Sequence, residues 1–452
     1  MSTYALNKLI LQRLKFTPSQ ILAFGFGGLI FFGACLLMLP GVTVNGVGLK
    51  FVDALFTATS AVCVTGLVVV DTGTVFNIYG QLVIIGLIQA GGLGIMTIAV
   101  LFALLMGKKI HLRERLLVQE ALNQFDLQGV VRLTKYVINL TLLIEFIGGT
   151  ILALRLVQDL GWAKGFYFGY WHAISSFCNA GFDLFGEYKS ITGYVDDWTV
   201  NLVIGGLIIL GGIGFTVIAD VYQKRSFRKL SLHSKVVLAM SAILIAGGAI
   251  LIFIFEYRNP STMADLTFHG KILAAFFQSV TTRTAGYNTL PIGELYQQTL
   301  FLMIIFMFIG ASPASTGGGV KTTSVAVIAA AVWSMVKGSE TPQLFERRLA
   351  EQIVYKAFTL MFFSLLLITV VTMGMCITED APFLNIMFEV TSAFGTVGLS
   401  TGITQGLTVP GKIMIIITMF AGRVGPLTLA FALGQKKIKA IYKNPEGKVM
   451  IG

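Results

Sequence analysis

The sequence predicts an all-α polytopic membrane protein built from four helix–pore-loop–helix repeats with pseudo-fourfold symmetry. Three observations carry this expectation. The chain is 55% hydrophobic and only 12% charged, with a mean hydropathy of +0.81, whereas soluble domains carry about 25% charged residues. One aromatic-to-glycine segment recurs four times. Each copy lies between two long apolar runs.

The leading apolar runs fall at 20–39, 136–157, 236–255 and 354–377, and the trailing runs begin near 80, 199, 299 and 412. A span takes roughly 20 apolar residues, so the chain has room for about eight to ten spans with short loops. The longest polar stretch, 107–135, is too short to fold alone as a catalytic domain. Lys8, Arg13 and Lys15 precede the first run, but Pro40 and Gly41 offer no cleavage site, which makes that run the first span rather than a signal peptide. Cys35, Cys63, Cys178 and Cys376 sit in or beside apolar segments at unrelated spacings, as small apolar filler rather than disulfide or metal ligands.

The four short segments read FTATSAVCVTGL at 56–67, WHAISSFCNAGF at 171–182, FFQSVTTRTAGY at 276–287 and FEVTSAFGTVGL at 388–399. Each opens on an aromatic (Phe56, Trp171, Phe276, Phe388) ten residues before a glycine (Gly66, Gly181, Gly286, Gly398). The glycines lie 115, 105 and 112 residues apart, a period that marks an internal repeat. These segments are too short and polar to span, so they dip in and return. Such backbone is tolerated at membrane depth only along a watery path. The repeats are placed at 16–106, 107–222 (with its preceding loop), 223–336 and 337–435, followed by a tail at 436–452.

Charge sets the orientation. Of 33 Lys and Arg, 23 fall in the N-terminus, the three inter-repeat loops and the tail, while 13 of the 22 acids lie on the opposite side. The positive-inside rule then puts both termini in the cytoplasm. The net charge of +11 is topological, and no nucleic-acid partner is expected.

Four extended strands converging on one axis would present backbone carbonyls as ligands for a dehydrated monovalent cation. Glycine turns successive carbonyls inward and brings no side chain into the path. One such glycine could merely permit a turn; four at equivalent positions point to one ion pore. The candidate filter is Cys63, Val64, Thr65 and Gly66; Cys178, Asn179, Ala180 and Gly181; Arg283, Thr284, Ala285 and Gly286; and Gly395, Thr396, Val397 and Gly398.

The strings VTGL, NAGF, TAGY and TVGL resemble the filters of the Ktr/Trk/HKT superfamily of cation transporters, and the resemblance runs from Phe16 to Gly452. No extra helix pair precedes the first repeat, and the closing GKVMIG is similar to the membrane, ion-translocating subunits of bacterial Ktr systems. The resemblance implies potassium uptake at the bacterial inner membrane with no covalent chemistry and no organic cofactor. Serine in the first repeat accompanies sodium transport in plant relatives, so Gly66 argues for potassium. It also implies a homodimer joined through the tail and a cytoplasmic RCK-type nucleotide-binding regulatory ring. Membrane lipid accounts for part of the basic cytoplasmic face. Whether sodium acts as an activator stays open.

Residues 299–336 run 38 positions, nearly two spans, and enclose Gly310, Ala311, Ser312, Pro313, Ala314, Ser315, Thr316, Gly317, Gly318, Gly319, Val320 and Lys321. Pro313 and the glycine triplet break a helix, which predicts one interrupted helix with a loop at membrane depth. The resembled family has its intramembrane gate here; a static kink is the alternative. The phosphate-loop pattern fails because Val320 separates Gly319 from Lys321. Arg423, 25 residues past Gly398, resembles the family's pore arginine. Arg283 is expected to shield the filter backbone from the side, and Glu145 to pair structurally within its span.

The expected function is channel-like translocation of potassium down its electrochemical gradient. The rival is a sodium-coupled potassium secondary transporter, which four parallel repeats disfavour. No helix carries arginine at every third position, and His111, His172, His233 and His269 are scattered, so voltage sensing and enzymatic chemistry are not expected.

Overall fold

The computed structural model describes residues 18–94, 130–339 and 341–426, together with positions 97, 428 and 450. Each leading run forms one long helix: α1 (Pro18–Leu37), α4 (Val130–Leu160), α8 (Leu232–Glu256) and α12 (Glu351–Thr378). Among the described residues these are the four helices long and apolar enough to cross a membrane singly. Exposed Phe31, Phe146, Ile254 and Phe362 cover their outer faces with apolar surface suited to lipid.

The recurrent segments form the pore helices α2 (Phe51–Val62), α5 (Trp162–Phe177), α9 (Phe268–Thr281) and α13 (Phe383–Gly395). At about 1.5 Å per residue, their 12 to 16 residues reach only part-way into an apolar layer about 30 Å thick. Phe56, Trp171 and Phe388, which open their segments, are buried between neighbouring helices.

The trailing elements are α3 (Ile78–Leu93), α6 (Trp198–Ile213) continued by α7 (Phe215–Lys224), α10 (Gln297–Phe308) continued by α11 (Thr322–Val336), and α14 (Val409–Val424). Side chains cap the starts of three: Asn77 accepts from Tyr79 and Gly80, Asp197 from Val200, and Thr408 from Gly411. Here the structure corrects the sequence reading, which put an interruption only in the third repeat. All four trailing helices stop at their glycine groups. Gly94, Gly214 and Gly425 follow the first, second and fourth at φ of +84°, +100° and +92°, and α7 leaves α6 at 95°.

The cause is close approach. A Cβ on Gly91, Gly211 or Gly422 would collide with the carbonyl oxygen of Val62, Phe177 or Phe394, each four residues before its repeat's recurrent glycine. These glycines let α3, α6 and α14 pack directly on the last turns of α2, α5 and α13, whereas α10 brings its Met307 carbonyl against Gly395 at the end of α13. Lys412 of α14 pairs with Asp53 of α2 at 2.7 Å, which joins the fourth repeat to the first. A small hairpin, β1 (Gln343–Leu344) and β2 (Arg347–Arg348), joins α11 to α12. The repeat boundaries near 106 and 435, and the tail apart from position 450, lie outside the described residues; α7 extends through Lys224, two residues past the boundary drawn at 222.

Candidate ion pathway

Each pore helix hands over to an extended strand through an unusual pair of backbone angles. Val64, Asn179, Thr284 and Thr396, two residues before their glycines, have φ of +56°, +60°, +71° and +51°. The glycines follow at +94° (Gly66), +69° (Gly181), +82° (Gly286) and +92° (Gly398). Three of the four leading positions are β-branched, for which a left-handed conformation costs about 1–3 kcal/mol and persists only where surroundings impose it.

The four strands close into a ring. A Cβ on Gly66 would lie 2.6 Å from the Ala180 carbonyl oxygen, one on Gly181 2.5 Å from that of Ala285, and one on Gly286 2.7 Å from that of Val397. A Cβ on Gly398 would strike the carbonyl oxygen of Thr65, which returns the circuit to the first repeat. Each glycine therefore meets the carbonyl of the residue before the next repeat's glycine. One chain thus builds four walls around one axis. A cavity of about 340 Å³ opens on this ring, lined by all four glycines with Asp71 and Asp183.

Hydroxyl groups brace the strands from behind. The Thr65, Ala180 and Val397 amides each donate at 2.8 Å to the carbonyl oxygens of Ser60, Ser175 and Ser392. The Ser60 and Ser392 hydroxyls accept from the Gly66 and Gly398 amides, both at 3.1 Å, and Ser175 Oγ donates to Phe182 O at 2.9 Å. In the third repeat valine takes the equivalent position, and Thr281 donates instead to the Tyr287 carbonyl at 2.5 Å. His172 Nε2 accepts from the Leu184 amide at 3.2 Å, while Nδ1 lies 2.7 Å from Phe168 O, a pairing that puts the ring proton on Nδ1.

Loop 310–321 lies directly beneath the ring. Thr316 Oγ1 donates to Asn179 Oδ1 at 3.2 Å, the Gly318 amide donates to Thr396 Oγ1 at 2.9 Å, and Gly317 abuts Thr284. The loop thus touches the left-handed residues of repeats two, three and four. It is tied internally by Gly310 N–Val320 O at 2.9 Å and Ala311 N–Gly318 O at 3.2 Å. Bonds from Ser312 and Thr316 to the Gly212 and Gly211 carbonyls, at 3.0 and 3.2 Å, anchor it to α6. Pro313, Ala314 and Ser315 form its outer bend, where the Ala314 carbonyl accepts from the Phe215 amide at 3.0 Å.

Arg423 reaches the loop from α14. Its guanidinium donates to the carbonyl oxygens of Thr316 and Gly91, and at 3.4 Å to that of Gly92. Through Arg423 the loop is therefore joined to repeat one as well. Lys321 Nζ donates to the Gly317 and Gly318 carbonyls at 2.7 and 3.3 Å.

The remaining candidates stand back from the axis. Cys63 and Cys178 cap the C-terminal ends of their pore helices, and Gly395 abuts the Met307 carbonyl of α10. The Cys178 thiol faces Gln89 Oε1 at 3.2 Å. Arg283, 6% exposed, turns its side chain into a small cavity behind the ring with Ile208, Ile245 and Val280. Glu145, 5% exposed, accepts from Gln89 Nε2 at 3.1 Å and lies off the path.

The chain matches the family model described as cation transport protein, TrkH, over residues 21–440. The chain belongs to this TrkH family. It is 47% identical to the Ktr system potassium uptake protein B of Bacillus subtilis, over 98% of this chain and 98% of that one. It is 42% identical to the potassium/sodium uptake protein NtpJ of Enterococcus hirae, over 97% of this chain and 98% of that one. Among solved structures, TrkH from Vibrio parahaemolyticus shares the fold, with a TM-score of 0.74 at 16% identity over 92% of this chain and 84% of that one. The bracing serines of this TrkH-family chain are not among the residues expected from sequence. Their signal was in the repeat itself, since Ser60, Ser175 and Ser392 all stand six residues before the recurrent glycine.

Proposed function

We propose that this protein takes up potassium through a single-chain filter formed by the four glycine strands, gated from below by loop 310–321. The observation that carries the reading is the closed circuit of glycine against carbonyl around one axis. A ring of inward carbonyls replaces the hydration shell of a monovalent cation without any charged side chain on the path. The negative ends of the pore-helix dipoles point toward the same region and favour a cation there. Loop 310–321 lies across the lower exit, and Arg423 adds a fixed positive charge beside it.

The names of the relatives support potassium as the cargo, and that of NtpJ adds sodium as a transported or activating ion. The word system in the Ktr names supports a second, regulatory component. In our reading a homodimer rests on a cytoplasmic nucleotide-binding ring, both termini face the cytoplasm, and the protein sits in the inner membrane. Potassium flux into liposomes, measured against concentration and against a sodium gradient, tests the channel-like reading. Flux that saturates and requires sodium on the same side would favour the sodium-coupled carrier.

A further inference from the structure

Three successive carbonyls of the loop, those of Thr316, Gly317 and Gly318, are all taken by cationic side chains. The Arg423 guanidinium holds the first. The Lys321 ammonium holds the other two, at 2.7 and 3.3 Å. Among the described residues neither cation has a carboxylate partner. An ammonium withdrawn from water normally finds an acid; half-buried Lys321 has only backbone oxygens, the same ligand type that the ring above presents.

The placement is specific. Gly317 abuts Thr284, and the Gly318 amide is bonded to Thr396 Oγ1 at 2.9 Å, so this carbonyl pair sits immediately under the ring. Gly319, at φ +69°, then turns the chain so that Lys321 folds back over the two residues. An ammonium and a potassium ion are close in size, carry the same charge and accept the same oxygen neighbours. The first donates N–H bonds where the second takes lone pairs.

We propose that the carbonyl oxygens of Gly317 and Gly318 form a monovalent-cation site below the filter, and that the Lys321 ammonium occupies it as a tethered substitute for the transported ion. In this closed arrangement a potassium ion leaving the ring meets a site already filled by a charge that cannot leave the chain. Release of Lys321 removes the block and uncovers the Gly317 oxygen and one lone pair of the Gly318 oxygen, whose other is held by the Ala311 amide at 3.2 Å. The proposal rests on the gate reading above and adds to it a site, its ligands and its occupant.

The test uses the full-length protein in liposomes, with Lys321→Met, Lys321→Gln and a deletion of Ala314–Gly318. Gln keeps an N–H donor for the loop carbonyls without the charge, which guards against a simple folding failure of the Met variant. Both substitutions are expected to raise basal potassium flux at least about threefold with an unchanged potassium/sodium ratio. Rubidium-soaked structures of the variants are expected to show the ion on the Gly317 and Gly318 oxygens. Raised flux without rubidium there overturns the site and leaves Lys321 a structural latch. Unchanged flux in both substitutions, with raised flux in the deletion, overturns the tethered cation while the gate stands. Unchanged flux in the deletion as well removes the gate, and this proposal with it.

Discussion

The Arg423 guanidinium donates to the backbone carbonyl of Thr316, 107 residues away, and to that of Gly91, 332 residues away. One side chain thus pins loop 310–321 to the broken end of α3, across the fourth and first repeats. Charge-assisted hydrogen bonds are worth about 1.5–3 kcal/mol each. Arg423→Gln should therefore weaken the closed arrangement by a factor of roughly ten or more. The expected outcome is faster potassium uptake without a regulator, measured in liposomes; wild-type rates in a well-folded variant would put this charge outside the path.

Gly66 tests the ring. At φ +94°, with the Ala180 carbonyl where its Cβ would stand, Gly66→Ser must push two strands apart and bring a hydroxyl to the axis. Discrimination between potassium and sodium should fall, read as the ratio of the two fluxes. An unchanged ratio would refute the assignment of the filter.

The bracing hydroxyls separate filter shape from filter composition. Ser392→Ala leaves the buried Gly398 amide without its 3.1 Å acceptor, at a cost of about 1–3 kcal/mol. Ser60→Ala does the same to Gly66. Each should lower thermal stability and blur selectivity, although neither side chain touches the ion. Midpoints from thermal unfolding in detergent, with rubidium/potassium flux ratios, check both effects.

In the outer loop that follows the second strand, burial pushes the Asp183 carboxyl up to about 7, helped by the nearby Asp71 carboxylate and opposed by the Phe185 amide. Below that pH the group takes up a proton and the cavity above the ring loses a negative charge; above it the charge is present. Potassium uptake at low external concentration should thus fall as external pH drops from about 8 to about 6, because fewer ions are drawn to the mouth. Asp183→Asn should remove that step and keep the low-pH rate throughout. A pH profile that survives the substitution would assign the step elsewhere.

Much of the fold was legible in the chain because a membrane leaves few options for backbone polar groups. A run of about 20 apolar residues becomes a spanning helix, so α1, α4, α8 and α12 lie where the leading runs predicted. The pore helices were legible because four copies of one pattern could be compared, which turned each glycine from a turn residue into a position. The breaks in α3, α6 and α14 were not legible in the same way. Glycine in an apolar run is common in membrane helices, and only the approach of Val62, Phe177 and Phe394 shows why it is needed there.

By itself the sequence determined that the chain spans a membrane, that it has four repeats and that each repeat brings a glycine to the same depth. Those features follow from local composition and period, which every residue carries wherever its partners are. The tertiary structure decided what meets what: Gly66 against Ala180, Gly398 against Thr65, Arg423 against Thr316, and Lys321 folded onto Gly317 and Gly318. These pairs join separate repeats or reverse the chain within one loop. Such contacts depend on backbone angles and on which strands lie side by side, quantities that no single residue's chemistry specifies.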